Sequence, residues 1–190
     1  MDESEDIQRI KQRDWHGLEA LIERYQLRAV RTAYLVIGDR AEAEDVVADA
    51  FYRVWRQIDQ FDNTRPFAPW FFTLVLNAAR RVVSRSARFI DIPEEDPEDT
   101  HFSDQTISSP EDEIIQAESE EAVRQALSRL SLDQRVVIIQ QFYLGWTVEQ
   151  MAVQGNHPPG TIKWRLYQAR NRLRIWLSQL EGSSDTFNSE

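Results

Sequence analysis

The chain has no cysteine, which excludes disulfides and thiolate metal sites. Its three histidines, His16, His101 and His157, are too scattered to form a ligand cluster. No apolar run approaches the ~20 residues needed to span a bilayer. The opening residues, MDESEDIQRI, are acidic and polar, unlike a signal peptide. No glycine-rich phosphate loop and no nucleophile–base pairing can be found. Asp45 and Asp49 are at helical spacing, where carboxylates more often form a solvated or interface face than a catalytic pair. These absences predict a cytoplasmic protein with no catalytic residues, no metal, no cofactor and no membrane insertion.

Aromatic residues are plentiful: six Trp, nine Phe and five Tyr can build real cores. The formal net charge is -10, which at first argues against a nucleic-acid partner. The charge is segregated, however. Residues 91–121 hold 13 acids and no base, and the remainder carries a balance of +3. Within that remainder, residues 65–90 contain five Arg and no acid, and residues 150–180 contain five bases and no acid. Binding depends on the field within a Debye length, roughly 8–10 Å, so these local surpluses outweigh the whole-chain charge.

Apolar periodicity predicts helices throughout. Residues 1–13 read as a polar tail that frays. Asp14 to Ile37 is predicted helical on Leu18, Leu21, Ile22, Tyr25, Ala29, Ala33 and Val36, and Gly38-Asp39 ends it. Ala41 to Ile58 follows, with Ala43, Val46, Val47, Ala50 and Val54 on one side. Glu42, Asp45, Asp49 and Arg53 lie on the other. FDNTRP (Phe61–Pro66) reads as a turn. Phe67 to Ser86 reads as a third helix, with Trp70, Leu74, Asn77 and Arg81 along one line. Residues 91–110, rich in acids and Pro, read as a linker.

A helix is then predicted from Ser109-Pro110 to Leu130, and another from Ser131, where Gln134 completes a capping box. Gly145 breaks it. Thr147 with Gln150 has the same capping spacing. Gly155-Asn156 supplies residues tolerant of left-handed backbone, and Pro158-Pro159 can open the next helix. From Thr161 to Trp176, Ile162, Leu166, Ala169, Leu173 and Trp176 form an apolar stripe. Lys163, Arg165, Arg170, Arg172 and Arg174 occupy the other faces. Gly182-Ser183-Ser184 begins a tail. A helix buried on one side and cationic on the other is what a major-groove reader needs; a solvated basic face on a helical hairpin is the plainer alternative. The expected fold is all-α: two small helical domains joined by an acidic linker, the second ending in a helix-turn-helix.

Two stretches carry a family resemblance. GDRAEAEDVVADAFYRVWRQIDQFD (Gly38–Asp62), followed by RPFAPWFFTLVLNAARR, is similar to the first conserved domain of bacterial extracytoplasmic-function (ECF) sigma factors. LSRLSLDQRVVIIQQFYLGWTVEQMA and GTIKWRLYQAR resemble their second domain. The resemblance implies a region 2-like domain at 14–90, a linker at 91–110, a region 4-like domain at 111–178 and a tail at 179–190. It implies that Glu42, Asp45, Asp49 and Arg53 face core RNA polymerase. It places Arg65, Asn77, Arg80, Arg81 and Arg85 on the −10 strand of promoter DNA, although Arg81 stands where the family usually has an acid. It places Thr161, Lys163, Trp164, Arg165 and Arg170 on the −35 element, with Trp164 pointing outward where the family usually has a small polar residue. An anti-sigma factor is an implied further partner. The implied function is promoter recognition and transcription initiation as a polymerase subunit. The alternative is a helix-turn-helix regulator that binds duplex DNA without polymerase. The acids of 91–121 either screen the cationic helices of the free chain or serve only as a soluble spacer.

Overall fold

The computed structural model describes residues 2–89 and 122–185, and every regular element among them is helical. The first half comprises α1 (Glu3–Lys11), α2 (Trp15–Ile37), α3 (Arg40–Gln57), a 3-10 turn (Ile58–Gln60) and α4 (Phe67–Phe89). The second comprises α5 (residues 122–128), α6 (Leu132–Ile138), a π-helical turn (Ile139–Tyr143), α7 (Val148–Gly155) and α8 (Pro159–Asp185). The expected linker at 91–110, the helix start at Ser109-Pro110 and the screening acids of 91–121 lie outside the described residues.

Local chemistry sets the boundaries in the first half. The Asp14 carboxylate accepts from the His16 amide and caps α2, and Gly38, at φ 90°, closes it in the left-handed region. The Asp39 side chain accepts from the Glu42 amide at 2.8 Å and starts α3. The three long helices then bury one aromatic cluster. Phe67 and Phe71 stack at 5.7 Å with Tyr25 and Phe51 against them. Phe67, Phe71 and Phe72 are essentially fully buried. They therefore fill the core and are not available to stack on a base.

In the second half, Ser131 and Thr147 each form a complete capping box, with Gln134 and Gln150. Gly145, at φ 73°, turns the chain between the π-helical turn and α7. Asn156, at φ 50°, caps α7, and Pro159 is the first residue of α8. Ile162, Leu166 and Ala169 are buried, while Leu173 and Trp176 are half-buried. The guanidinium of Arg129 lies 5.5 Å from the Trp176 ring.

Two expectations are corrected. Residues 1–13 are not a frayed tail: α1 buries Ile7 and Ile10 against α2. Its Asp2 cap, acidic first turn and basic last turn all suit the helix dipole. Only two large apolar residues one turn apart signalled it. The tail expected from 179 is also displaced, since α8 continues to Asp185. Gly182 costs a helix about 1 kcal/mol relative to Ala but does not terminate it.

Candidate nucleic-acid interface

Three surfaces carry the predicted residues. On α3, Glu42, Asp45, Asp49 and Arg53 are all exposed along one side, with Tyr52, 61% exposed, beside them. Phe51 is buried, and Trp55 is half-buried with the Arg13 guanidinium 5.9 Å from its ring. Both therefore belong to the packing of the first half. The outward face of α3 is a mixed-charge strip with one aromatic, the composition of a protein interface more than of a phosphate site.

On α4, Asn77, Arg81 and Arg85 are exposed and lie four residues apart along one line. α4 has no acid anywhere in its length. Arg65 lies in the preceding turn, exposed, 3.5 Å from Asp62. The Thr64 hydroxyl and amide both hydrogen-bond to Asp62 and hold its carboxyl below the usual range, with Arg65 adding a smaller effect. Arg80 departs from this line. It is turned toward the second half and meets the Asp133 carboxylate at 3.0 Å. Burial holds its guanidinium below the ordinary arginine pKa, against the opposing pull of Asp133.

On α8, Lys163 is exposed, and Trp164 and Tyr167 project one turn apart, 60% and 66% exposed. The outward position expected of Trp164 is therefore found. Thr161 sits half-buried in the first turn, its amide bonded to the Pro158 carbonyl. Arg170 donates to Gln141 at 2.6 Å and lies over the Phe142 ring at 5.4 Å, so it is oriented while still exposed. Arg165 differs: only 17% of its side chain is exposed, and it meets Asp133 at 2.8 Å.

The structure thus gathers Lys163, Trp164 and Arg170 on one exposed face of the last helix, and Asn77, Arg81 and Arg85 on another. It takes Arg80 and Arg165 out of those faces and places both on Asp133. Sequence reasoning missed Asp133 because it reads as an ordinary first-turn acid of a capped helix. Tyr167 was also missed, although three-residue spacing from Trp164 on the side away from the apolar stripe could have found it. Among the described residues no group of His, Asp and Glu is arranged to hold a metal.

The described residues thus form two helical units, one with an acid-free cationic helix and one with a helix-turn-helix, and both match one class of protein, the sigma-type chains. Residues 21–89 match Sigma-70 region 2, and residues 120–173 match Sigma-70 region 4. The ECF RNA polymerase sigma factor SigL of Mycobacterium tuberculosis is 33% identical over 167 residues, covering 86% of this chain and 90% of SigL. CnrH, solved with the cytosolic domain of CnrY, superposes with a TM-score of 0.69 at 20% identity, over 94% of this chain and 99% of that one. The sigma factor RpoE of Bartonella quintana, solved with the anti-sigma factor NepR, gives a TM-score of 0.60 at 26% identity, over 84% and 98% of the two chains.

The chain belongs to the ECF RNA polymerase sigma factors. It binds core RNA polymerase and directs transcription initiation at promoters. The region 2 match also disfavours a free-standing helix-turn-helix regulator, which has no use for the first half. No helix among the described residues is long and apolar enough to cross a membrane.

Proposed function

We propose that the outer face of α3 (Glu42, Asp45, Asp49 and Arg53) docks on core polymerase. In the same reading, α4 and its preceding turn hold the −10 strand through Arg65, Asn77, Arg81 and Arg85, and Arg80 joins them when released from Asp133. The exposed face of α8 reads the −35 element. There Lys163 and Arg170 supply charge, Thr161 can offer its hydroxyl to phosphate, and Trp164 packs on sugar or base edges. Arg165 supports α8 from behind through Asp133 and is a groove contact only if that pair opens.

The observation that carries this reading is the segregation of surfaces. The acids lie on α3, and two acid-free cationic faces lie on α4 and on the exposed part of α8. A protein partner explains the first, and nucleic acid the other two. The protein supplies binding and orientation and does no covalent chemistry of its own. Its place is the cytoplasm, where polymerase and promoter are. An anti-sigma factor is a further partner, a reading supported by the complex of the similar sigma factor RpoE with NepR.

In vitro transcription with core polymerase on a promoter library tests the reading. Initiation should depend on this protein and enrich a two-part sequence. Lys163→Ala should weaken the −35 half of that signature and lower the salt slope of promoter binding by about one unit. Initiation indifferent to the protein would refute the reading, and an unchanged signature and slope for Lys163→Ala would move the DNA face away from this part of α8.

A further inference from the structure

Arg65 is carried by the irregular stretch between the 3-10 turn and α4, and the bonds within that stretch are short-range. The Phe61 amide donates to the Ile58 carbonyl and the Arg65 amide to the Asp62 carbonyl, each at 3.0 Å. The Thr64 amide and hydroxyl close on the Asp62 carboxylate. One side chain roots the stretch: Phe61 is buried, its ring 5.6 Å from Phe67 and 5.0 Å from Trp70. Every residue from Asp62 to Pro66 is exposed. Short-range bonds shape a turn, but they do not set its angle to the helices beside it.

Bonds from a distant part of the chain set that angle. The Lys11 ammonium, at the end of α1, donates to the Phe61 carbonyl at 3.1 Å and to the Asn63 side-chain oxygen at 2.7 Å. The Arg13 guanidinium donates to the Trp55 carbonyl at 2.7 Å and to the Asp59 carboxylate at 2.6 Å. Trp55 lies in the last turn of α3, where the helix dipole favours a cation. The two cations thus bracket the 3-10 turn, Arg13 on the side of α3 and Lys11 on the side of residues 61–66. Arg13 holds its place under strain. Its φ is 63°, in the left-handed region, where a side chain crowds its own backbone. For the backbone alone glycine would serve better at 13, but glycine would bring no guanidinium.

We propose that Lys11 and Arg13 are positioning residues for −10 recognition. From the corner between α1 and α2 they clamp the connection 58–66 and so fix where Arg65 stands relative to α4. They act through Trp55, Asp59, Phe61 and Asn63, not through a DNA contact of their own. The positioning role rests on the assignment of Arg65 to the −10 strand; the clamp itself does not. α1, docked on α2 at Gly17, is then the support of the turn as well as a part of the core.

Two measurements on the full chain separate these claims. Amide hydrogen exchange of the free protein, read by NMR, reports on the clamp. Arg13→Gly loses the guanidinium but also the left-handed strain, so it should melt close to the parent. Exchange at Phe61, Thr64 and Arg65 should nevertheless quicken by about twofold to fivefold, the range of a half-exposed hydrogen-bonded pair. Lys11→Met should do the same, and Lys11→Arg, which keeps a donor, should not. Exchange in the middle of α4 should stay parental throughout. Affinity of the holoenzyme for a fluorescent single strand carrying the −10 sequence enriched from the promoter library reports on positioning. Lys11→Met and Arg13→Gly should weaken it about twofold to fivefold, again the range of such a pair. Asp59→Ala should weaken it too. That variant removes an acid, so a direct effect of charge on DNA would tighten binding instead. Parental exchange in both Lys11→Met and Arg13→Gly would overturn the clamp. Quickened exchange with parental strand affinity, or tighter binding by Asp59→Ala, would overturn the positioning role, provided that Arg65→Ala weakens binding. If Arg65→Ala also binds as the parent does, the assignment of this turn to the −10 strand falls, the positioning role falls with it, and the clamp stands.

Discussion

Gly17 sets how closely α1 approaches α2. A Cβ built there would lie 2.3 Å from the Asp6 carbonyl oxygen and 2.9 Å from the Arg9 Cβ. Backbone cannot swing aside as a side-chain tip can, so Gly17→Ala must push α1 off its seat, where Ile7, Ile10 and the buried Asp6 carboxylate are docked. The expected loss is about 1–3 kcal/mol, the range of overpacking, seen as a fall of several degrees in thermal melting. Gly160→Ala is the contrasting case: nothing lies within 4 Å of its added methyl group, and it sits at the start of α8. It should melt at or above the parental temperature. Equal melting of both variants and parent would show that α1 does not pack as described. No feature of the sequence singles out Gly17, because it falls inside a helix where glycine has no conformational use.

Among the elements, α7 depends most on its ends. It spans eight residues, Val148–Gly155, and a helix that short is marginal by itself. The Thr147 hydroxyl accepts from the Gln150 amide at 3.2 Å, and the Gln150 side chain accepts from the Thr147 amide at 2.9 Å. Thr147→Ala removes the first of these and should cost about 0.5–2 kcal/mol in chemical denaturation. A midpoint equal to the parent's would mean that packing of Met151 and Ala152 alone holds α7. The capping chemistry was legible in the sequence, as were the stops at Gly38 and Gly145, because these rest on the side chain and its near neighbours. α1 was not. Its short apolar stripe gains stability only from the groove of α2 on which it lies, and no local pattern records that groove.

For the whole molecule, the Arg80–Asp133 pair between α4 and α6 predicts a response to salt. From 0.1 to 1 M the Debye length falls from about 10 to about 3 Å, so this half-exposed pair weakens. In chemical denaturation the parent should lose more stability with salt than Asp133→Asn, which has lost that pair. Identical salt responses of the two proteins would show that the pair adds nothing to stability. The exposed faces proposed to meet the promoter were largely legible beforehand: Lys163, Trp164, Asn77, Arg81 and Arg85 are exposed as expected. Arg80 and Arg165 were not, since helical spacing shows which flank of a helix a residue occupies and not which other helix meets that flank.

The sequence by itself determined the helices from α2 onward, the caps at Ser131 and Thr147, and the cationic faces of α4 and α8. All of these follow from periodicity, near-neighbour hydrogen bonds and charge position. Only the tertiary structure decided which cations are available. Arg80 and Asp133 are 53 positions apart in the chain, yet they meet at 3.0 Å. Such a long-range pairing is set by how α4 and α6 pack against each other, and that packing leaves no local trace in either segment.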